Sequence, residues 1–255
     1  MTELLFLGTG TSMGVPVIGC TCPVCTSSDP RDNRLRTSAL VSVDGTNILI
    51  DCGPDLRTQL LRAGSPRIDA VLLTHSHYDH VGGIDDLRPY CIGKKLRVYC
   101  QTDVSRDLHQ RVPYCFSEHP YPGVPEFEMH GDIRAGHAFS INGVTIQPVP
   151  VMHDRLPILG YRIGSLAYIT DCKTISDDAI SMLHGIDTLV INALRYKEHH
   201  SHMSLAEAMA TARLIAPKAT YFTHMSHGIG LARETARTLP PGMHLAYDML
   251  KIKTP

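Results

Sequence analysis

Apolar residues along the chain come in short runs of β-branched and aliphatic side chains, each closed by Gly, Pro or Asp. In the first half, the runs at 4–7, 39–43, 47–50, 70–73 and 96–99 read as strands. Between them, 55–63 opens on polar residues, sets Leu56, Leu60 and Leu61 on one side and stops at Gly64, which predicts an amphipathic helix; 102–112 is similar. The second half keeps this rhythm, with strands near 144–149, 160–163, 167–170, 188–191 and 220–222. Helices follow at 204–215 and 230–239, the first opened by Ser204 with Glu207 at the capping-box position. Strands precede helices in both halves and hairpin-like pairs are interleaved, so the order predicts an α/β fold in which two mixed β-sheets pack together with helices outside. No linker, composition break or short repeat divides residues 1–255, which are expected to form one domain. The stretch 113–137, rich in Pro, Gly and charge, is expected to be a surface insertion or lid.

Composition narrows the class of protein. Hydrophobic residues make up 43% and charged ones 19%, without an apolar run near the roughly 20 residues of a membrane-spanning helix, so no membrane partner is expected. The start, MTELLFLGTG, has an acidic residue and a short apolar stretch instead of the basic start and longer core of a secretion signal, which predicts a cytoplasmic location. A net charge of −1 offers no overall attraction to polyanions and argues against a stable nucleic-acid partner. Small anionic substrates stay open.

Two residue types then change the picture. Three of the eight cysteines, Cys20, Cys22 and Cys25, fall within six residues, and without a secretion signal this cluster reads as metal binding and not as disulfides. The other five read as small buried hydrophobes. Eight of the fifteen histidines gather at 75–80, 199–202 and 224–227, which points to a site. The segment His75-Ser-His77-Tyr-Asp79-His80 directly follows the apolar strand AVLLT. In an extended segment residues two apart face the same way, so His75 and His77 can converge on one ion while Asp79 and His80, past the bend, serve a neighbouring one. Imidazole and carboxylate ligands suit zinc, manganese or iron, and Gly82-Gly83 lets the backbone turn tightly beside them. A polar loop that merely caps a helix is the alternative, but four ligand-type residues in six weigh against it.

HSHYDH after an apolar strand resembles the HxHxDH signature of the metallo-β-lactamase superfamily. Further matches come in that family's order: Asp51 in LIDCG, His153 in PVMH, Asp171 in YITD and His224 in YFTH. The resemblance spans nearly the whole chain and implies a four-layer αββα sandwich. It implies that His75, His77 and His153 hold one catalytic divalent ion, manganese or zinc, that Asp79, His80 and His224 hold a second, and that Asp171 bridges them. Asp51 would orient a ligand imidazole from behind. Two ions ~3.5–4 Å apart generate hydroxide near neutral pH and neutralise phosphate and leaving-group oxygens. Asp79, His80 and Asp171 together match the phosphodiesterase branches and not the β-lactamases.

The His202-Met-Ser-Leu segment at a helix head resembles the one that presents a catalytic histidine in those branches, so His202 and Asp171 are the expected catalytic residues. His199, His200, Arg195 and Tyr196 are left without firm roles. The opening LGTGTSMGVPVIGCTCPVC resembles that of the phosphoribosyl cyclic phosphodiesterases of the carbon-phosphorus lyase pathway. In that group a histidine three residues after the last catalytic ligand completes a structural zinc site, which maps here to His227, with the zinc loop at 19–27. Metal would fix a loop that buries little apolar surface.

The implied function is hydrolysis of a small cyclic phosphodiester of the phosphoribosyl 1,2-cyclic phosphate kind, in phosphonate metabolism, by a chain compatible with a homodimer. Other superfamily activities compete with it. A nucleotide phosphodiesterase fits the same metals, transfer RNA 3′ processing would need a basic arm that the sequence lacks, and thioester hydrolysis would leave the Cys loop and the His202 segment unexplained. A carrier without turnover, like the pyrroloquinoline quinone biosynthesis protein that shares the Cys loop, would have a degraded metal motif, unlike the intact HSHYDH.

Overall fold

Strand side chains alternate between two faces, and in this chain both faces are apolar, so each strand needs cover on both sides. The computed structural model, which describes residues 1–117 and 119–254, meets that need with two sheets of seven strands and helices on the outside. The first sheet contains β1 (Thr2–Gly8), β2 (Ser38–Val43), β3 (Thr46–Ile50), β4 (Ala70–Leu72), β5 (Leu96–Tyr99) and β6 (Phe127–His130). The second contains β7 (Phe139–Ile141), β8 (Val144–His153), β9 (Leu156–Ile163), β10 (Leu166–Ile169), β11 (Thr188–Asn192), β12 (Ala219–Thr223) and β13 (Met243–Leu245). The last strand, β14 (Lys251–Thr254), returns to the first sheet and pairs with β1. The orders are β14-β1-β2-β3-β4-β5-β6 and β13-β12-β11-β10-β9-β8-β7.

Each sheet is antiparallel on one side and parallel on the other. In the first, β3 to β6 run parallel; in the second, β10 to β13 do, and β8 runs the same way because two antiparallel pairings separate it from β10. The carboxyl ends of β3 and β4 in one sheet, and of β8, β10 and β12 in the other, are therefore aligned within each sheet. Loops at the carboxyl ends of strands are where α/β sheets place ligands.

Helices cover both outer faces. The first sheet carries α1 (Leu56–Arg62) and, after the single turn α2 (Tyr78–Val81), α3 (Thr102–Arg111). The second carries α4 (Asp177–Leu183) and α5 (Leu205–Ile215), with α6 (Ala232–Ala236) beside β13. β3 shows the sorting: Ile48 and Ile50 enter the core between the sheets with Phe6, Tyr161 and Tyr168, while Leu49 joins Leu56 and Leu60 under α1. Leu205, Ala208, Ala212 and Ile215 form the matching stripe on α5. Burying each large aliphatic contributes about 1.5–3 kcal/mol. Among the described residues no helix is long and apolar enough to cross a membrane.

The predicted architecture and this one agree, but β7, β13 and β14 were not predicted, the strand predicted at 160–163 begins at Leu156, and further local differences follow. The 113–137 segment is not a detached insertion or lid: Phe127–His130 is β6, edge strand of the first sheet, with Phe127 and Cys115 buried and the rings of Phe116 and Phe127 6.1 Å apart. Glu118 lies outside the described residues. The strand predicted at 144–149 continues to His153, because β7 pairs only with residues 144–146 and leaves the edge carrying Pro148 and Pro150 without a partner strand. Helix α4, capped by Ser176, was not visible in the apolar pattern, and the helix predicted at 230–239 is the shorter α6.

The capping box of α5 forms as expected: Ser204 Oγ accepts from Glu207 N–H at 3.3 Å and Glu207 Oε2 accepts from Ser204 N–H at 2.7 Å. Ser204→Ala should cost about 1 kcal/mol. Thermal unfolding should show a Tm lower by roughly 2–4 °C.

Candidate metal centre

The loops after β3, β4, β8, β10 and β12 meet at one end of the sandwich. Three of them begin with a residue in the left-handed region, Asp51 (φ 60°), Asp171 (φ 53°) and His224 (φ 54°). A non-glycine residue there is uncommon and gathers at functional sites. Here the turn ends each strand abruptly and starts the loop at the residue whose side chain enters the cluster.

Four groups of ligand-type atoms lie within 4.8 Å of one another: His75, His77 and His153; Asp79, His80, Asp171 and His224; His153, Asp171 and His202; and Cys20, Cys22, Cys25 and His227. The buried carboxylate of Asp171 divides its two oxygens. Oδ1 lies 3.2 Å from His80 Nε2 and 3.1 Å from His224 Nε2, whereas Oδ2 faces His75 Nε2 at 3.8 Å and His202 Nε2 at 3.1 Å. Asp79 Oδ2 is 3.3 Å from His80 Nε2 and 3.5 Å from His224 Nε2. Ligand atoms at ~2.1 Å around a tetrahedral ion stand about 3.4 Å apart, so these separations suit a shared cation. The buried Nε2 atoms of His75, His80 and His224 make no hydrogen bond despite the carboxylate oxygens around them. Close approach without hydrogen-bond alignment is what lone pairs aimed at a common centre produce.

Charge supports the same fit. Burial alone would lower the pKa of His80, but Asp171, Asp79 and Asp51 surround it and hold the ring well above its usual range. Burial alone would raise Asp171 and Asp79; for Asp171 the His224 and His80 rings outweigh it, and for Asp79 the His80 and His224 rings do, leaving both carboxyls low. His75, next to other imidazoles, is driven well down by burial. Burial also pushes His202 down to about 4 against the pull of Asp171, so its ring is neutral at neutral pH. Buried anions of this kind need a compensating positive charge, and divalent ions fit a donor set of imidazoles and carboxylates.

The imidazoles are held from behind. Asp51 Oδ2 lies 2.7 Å from His80 Nδ1, and Asp51 also accepts from Thr74 N–H and Oγ1–H, while Thr74 Oγ1 lies 3.0 Å from His75 Nδ1. His153 Nδ1 is 2.8 Å from the Ser201 carbonyl, which leaves its Nε2 for the site. Such contacts fix tautomer and direction. Packing fixes the loop itself: Cys52 N–H donates to His80 C=O, Gly83 N–H donates to Cys52 C=O, and a Cβ on Gly53 would overlap the Asp79 carbonyl.

The Cys cluster lies on the neighbouring loop. His227 Nδ1 is 3.3 Å from Cys20 Sγ, 3.5 Å from Cys22 Sγ and 3.3 Å from Cys25 Sγ, spacings that suit the four ligands of a tetrahedral zinc ion. The backbone amide of Cys25 lowers Cys22 to about 6, favouring the thiolate that metals bind. His227 is three residues beyond His224, and Gly10 and Thr11 pair with Met225 between them, so this cluster ties the N-terminal loop to the site. Three of the four residues left without roles are placed too. Arg195 bonds the carbonyls of Lys197 and Glu198 and braces its own loop, Tyr196 bonds Thr235, and His199 and His202 both contact Ser201. Sequence reasoning passed over Thr74, Ser201 and Gly53; only their adjacency to histidines or to Asp51 signalled them.

Known proteins share this fold. A family model described as a β-lactamase superfamily domain matches residues 46–225. The chain belongs to the metallo-β-lactamase superfamily. A solved structure described as a new diphosphatase from the PhnP family is 42% identical with a TM-score of 0.92, covering 100% of this chain and 98% of that one. Zinc-bound PqqB from Methylobacterium extorquens has the same fold, with 20% identity, a TM-score of 0.80 and 99% and 100% coverage. A protein of Porphyromonas gingivalis named octanoyltransferase is 45% identical over 249 residues, 97% of this chain; the chain spans 50% of that relative's length.

Two substitutions test the geometry. Gly53→Ala should displace the Asp79 backbone and cost about 1–3 kcal/mol by overpacking, with fewer bound ions by elemental analysis; full metal content and unchanged Tm would contradict the packing described. Cys22→Ala should lower the Tm and remove one zinc while leaving the ions of the His/Asp cluster in place.

Proposed function

We propose that the chain hydrolyses a small cyclic phosphodiester to a phosphomonoester, acting as one catalytic domain over residues 1–255. His75, His77 and His153 would hold one manganese or zinc ion, Asp79, His80 and His224 a second, with Asp171 shared; Cys20, Cys22, Cys25 and His227 would hold a structural zinc. The observation that carries this is the division of the Asp171 oxygens between two sets of imidazoles. Bound there, two divalent ions supply electrostatic stabilisation of the phosphate oxygens and a lowered pKa for attacking water.

The chain's own groups do the rest. Asp51, Thr74 and the Ser201 carbonyl keep the ligand rings aimed inward. Hydrolysis forms one P–O bond from water and breaks another, and charge develops on the departing oxygen. His202, whose Nε2 lies 3.1 Å from Asp171 Oδ2, would donate a hydrogen bond from that nitrogen to the departing oxygen, which ends as an alcohol with a proton released by the attacking water. Its neutral ring suits a donor of a hydrogen bond better than a carrier of charge.

A second reading is cleavage of a diphosphate, which needs the same electrostatics, and the diphosphatase with 42% identity favours it. The octanoyltransferase name of the Porphyromonas relative belongs to a protein twice the length of the matched region. A carrier without turnover, as the PqqB likeness invites, would leave His202 without work.

Assays with bis(p-nitrophenyl) phosphate, a cyclic alkyl phosphodiester and a nucleoside diphosphate ester, each with manganese or zinc, should show turnover of at least one phosphodiester; a thioesterase or carrier would leave all three untouched. His202→Ala should keep its metals and lose about 10²–10³-fold in kcat on the cyclic alkyl ester. Loss of metal in that variant would place His202 among the ligands instead.

A further inference from the structure

Ser201 stands between His202, His199 and His153, and its two polar groups face different partners. Its carbonyl accepts from His153 Nδ1, and its hydroxyl lies 2.9 Å from His202 Nδ1 and 3.1 Å from His199 Nδ1. The residue is buried, and the segment is pinned by Met203 N–H to the Cys172 carbonyl and Leu194 N–H to the Met203 carbonyl, so the hydroxyl is held in place.

The wiring of His202 follows from what each neighbour can give. Asp171 Oδ2, 3.1 Å from His202 Nε2, only accepts, so Nε2 carries a proton. In a neutral ring Nδ1 is then bare and needs a donor. His199 Nδ1, at 3.3 Å, is itself accepting from the Ser201 N–H and cannot serve. The Ser201 O–H is the donor in reach. We propose that Ser201 is a positioning residue that orients the His202 ring and places its proton on Nε2, the nitrogen that faces Asp171 and, under the proposed function, the departing oxygen. Without that hydroxyl the ring is free to turn or to carry its proton on Nδ1, and Nε2 then faces both Asp171 and the substrate with a lone pair. One residue thus directs a proposed metal ligand through its backbone and the hydrogen-bond donor through its side chain. Only the second is lost on mutation to alanine.

The inference rests on His202 acting on the departing oxygen, and the test separates the two. Zinc-loaded wild type, Ser201→Ala and His202→Ala are compared on bis(p-nitrophenyl) phosphate, whose leaving group departs without help, and on a cyclic alkyl phosphate, whose leaving group does not. Ser201→Ala should retain all bound zinc and lower the ratio of kcat on the alkyl ester to kcat on the nitrophenyl ester by about 10- to 100-fold, the range for contacts that orient site residues. In ¹⁵N spectra of histidine-labelled, zinc-loaded protein, His202 should be the Nε2–H tautomer in wild type and lose that preference in Ser201→Ala. An equal loss on both esters, loss of zinc, or an unchanged His202 tautomer would overturn the proposal. If His202→Ala shows no dependence on leaving group, the assigned role of His202 fails, while the tautomer measurement still decides that of Ser201.

Discussion

A buried carboxylate shared between two sets of imidazoles is the constraint on which the rest of the structure turns. Asp171 is 2% exposed and meets His75, His80, His202 and His224. Without a cation, so many acidic and basic groups packed with poor hydrogen-bond alignment would cost several kcal/mol in desolvation. The surrounding fold must therefore hold a cluster that favours its own expansion. It does so by rigid attachment: Asp51, His153, Asp171 and His224 stand at or within two residues of the end of a strand whose body is locked in the core, and the HSHYDH loop follows β4 and is tied to the Asp51 loop by backbone hydrogen bonds.

The sheet topology makes this attachment economical. Because β3 and β4 run parallel in one sheet, and β8, β10 and β12 run alike in the other, their loops emerge together without any long excursion. Residues from position 51 to 224 converge, and left-handed backbone at Asp51, Asp171 and His224 makes the final turn. Gly53 and Gly83 then let two loops touch backbone to backbone. The Cys cluster serves the same end at lower apolar cost, tying 20–25 to a residue three beyond His224.

How much of this was legible in the sequence depended on how local the signal is. HSHYDH and the three-cysteine run announce chemistry within six residues each, and the strands that carry them are continuous apolar runs because they are covered on both faces. The single residues Asp51, His153, Asp171 and His224 carry no local signal; their order along the chain gave them meaning. The edge strand β6 was hidden because Phe127–His130 has charge on its exposed side and only Phe127 buried, and it lies among prolines and glycines typical of loops. The contacts behind the ligands were less legible still. Thr74 and Ser201 are ordinary residues in sequence, and their importance lies in which imidazole nitrogen they face, a property of the fold alone.

The central claim is that two cations share Asp171. Anomalous diffraction from crystals of the metal-replete protein, collected at the manganese and zinc absorption edges, measures it directly. The account predicts two peaks about 3.5–4 Å apart astride Asp171, one beside His75, His77 and His153 and the other beside Asp79, His80 and His224, with a third, zinc-only peak among Cys20, Cys22, Cys25 and His227. A single peak in the His/Asp cluster, or two that leave Asp171 unbound, would contradict it.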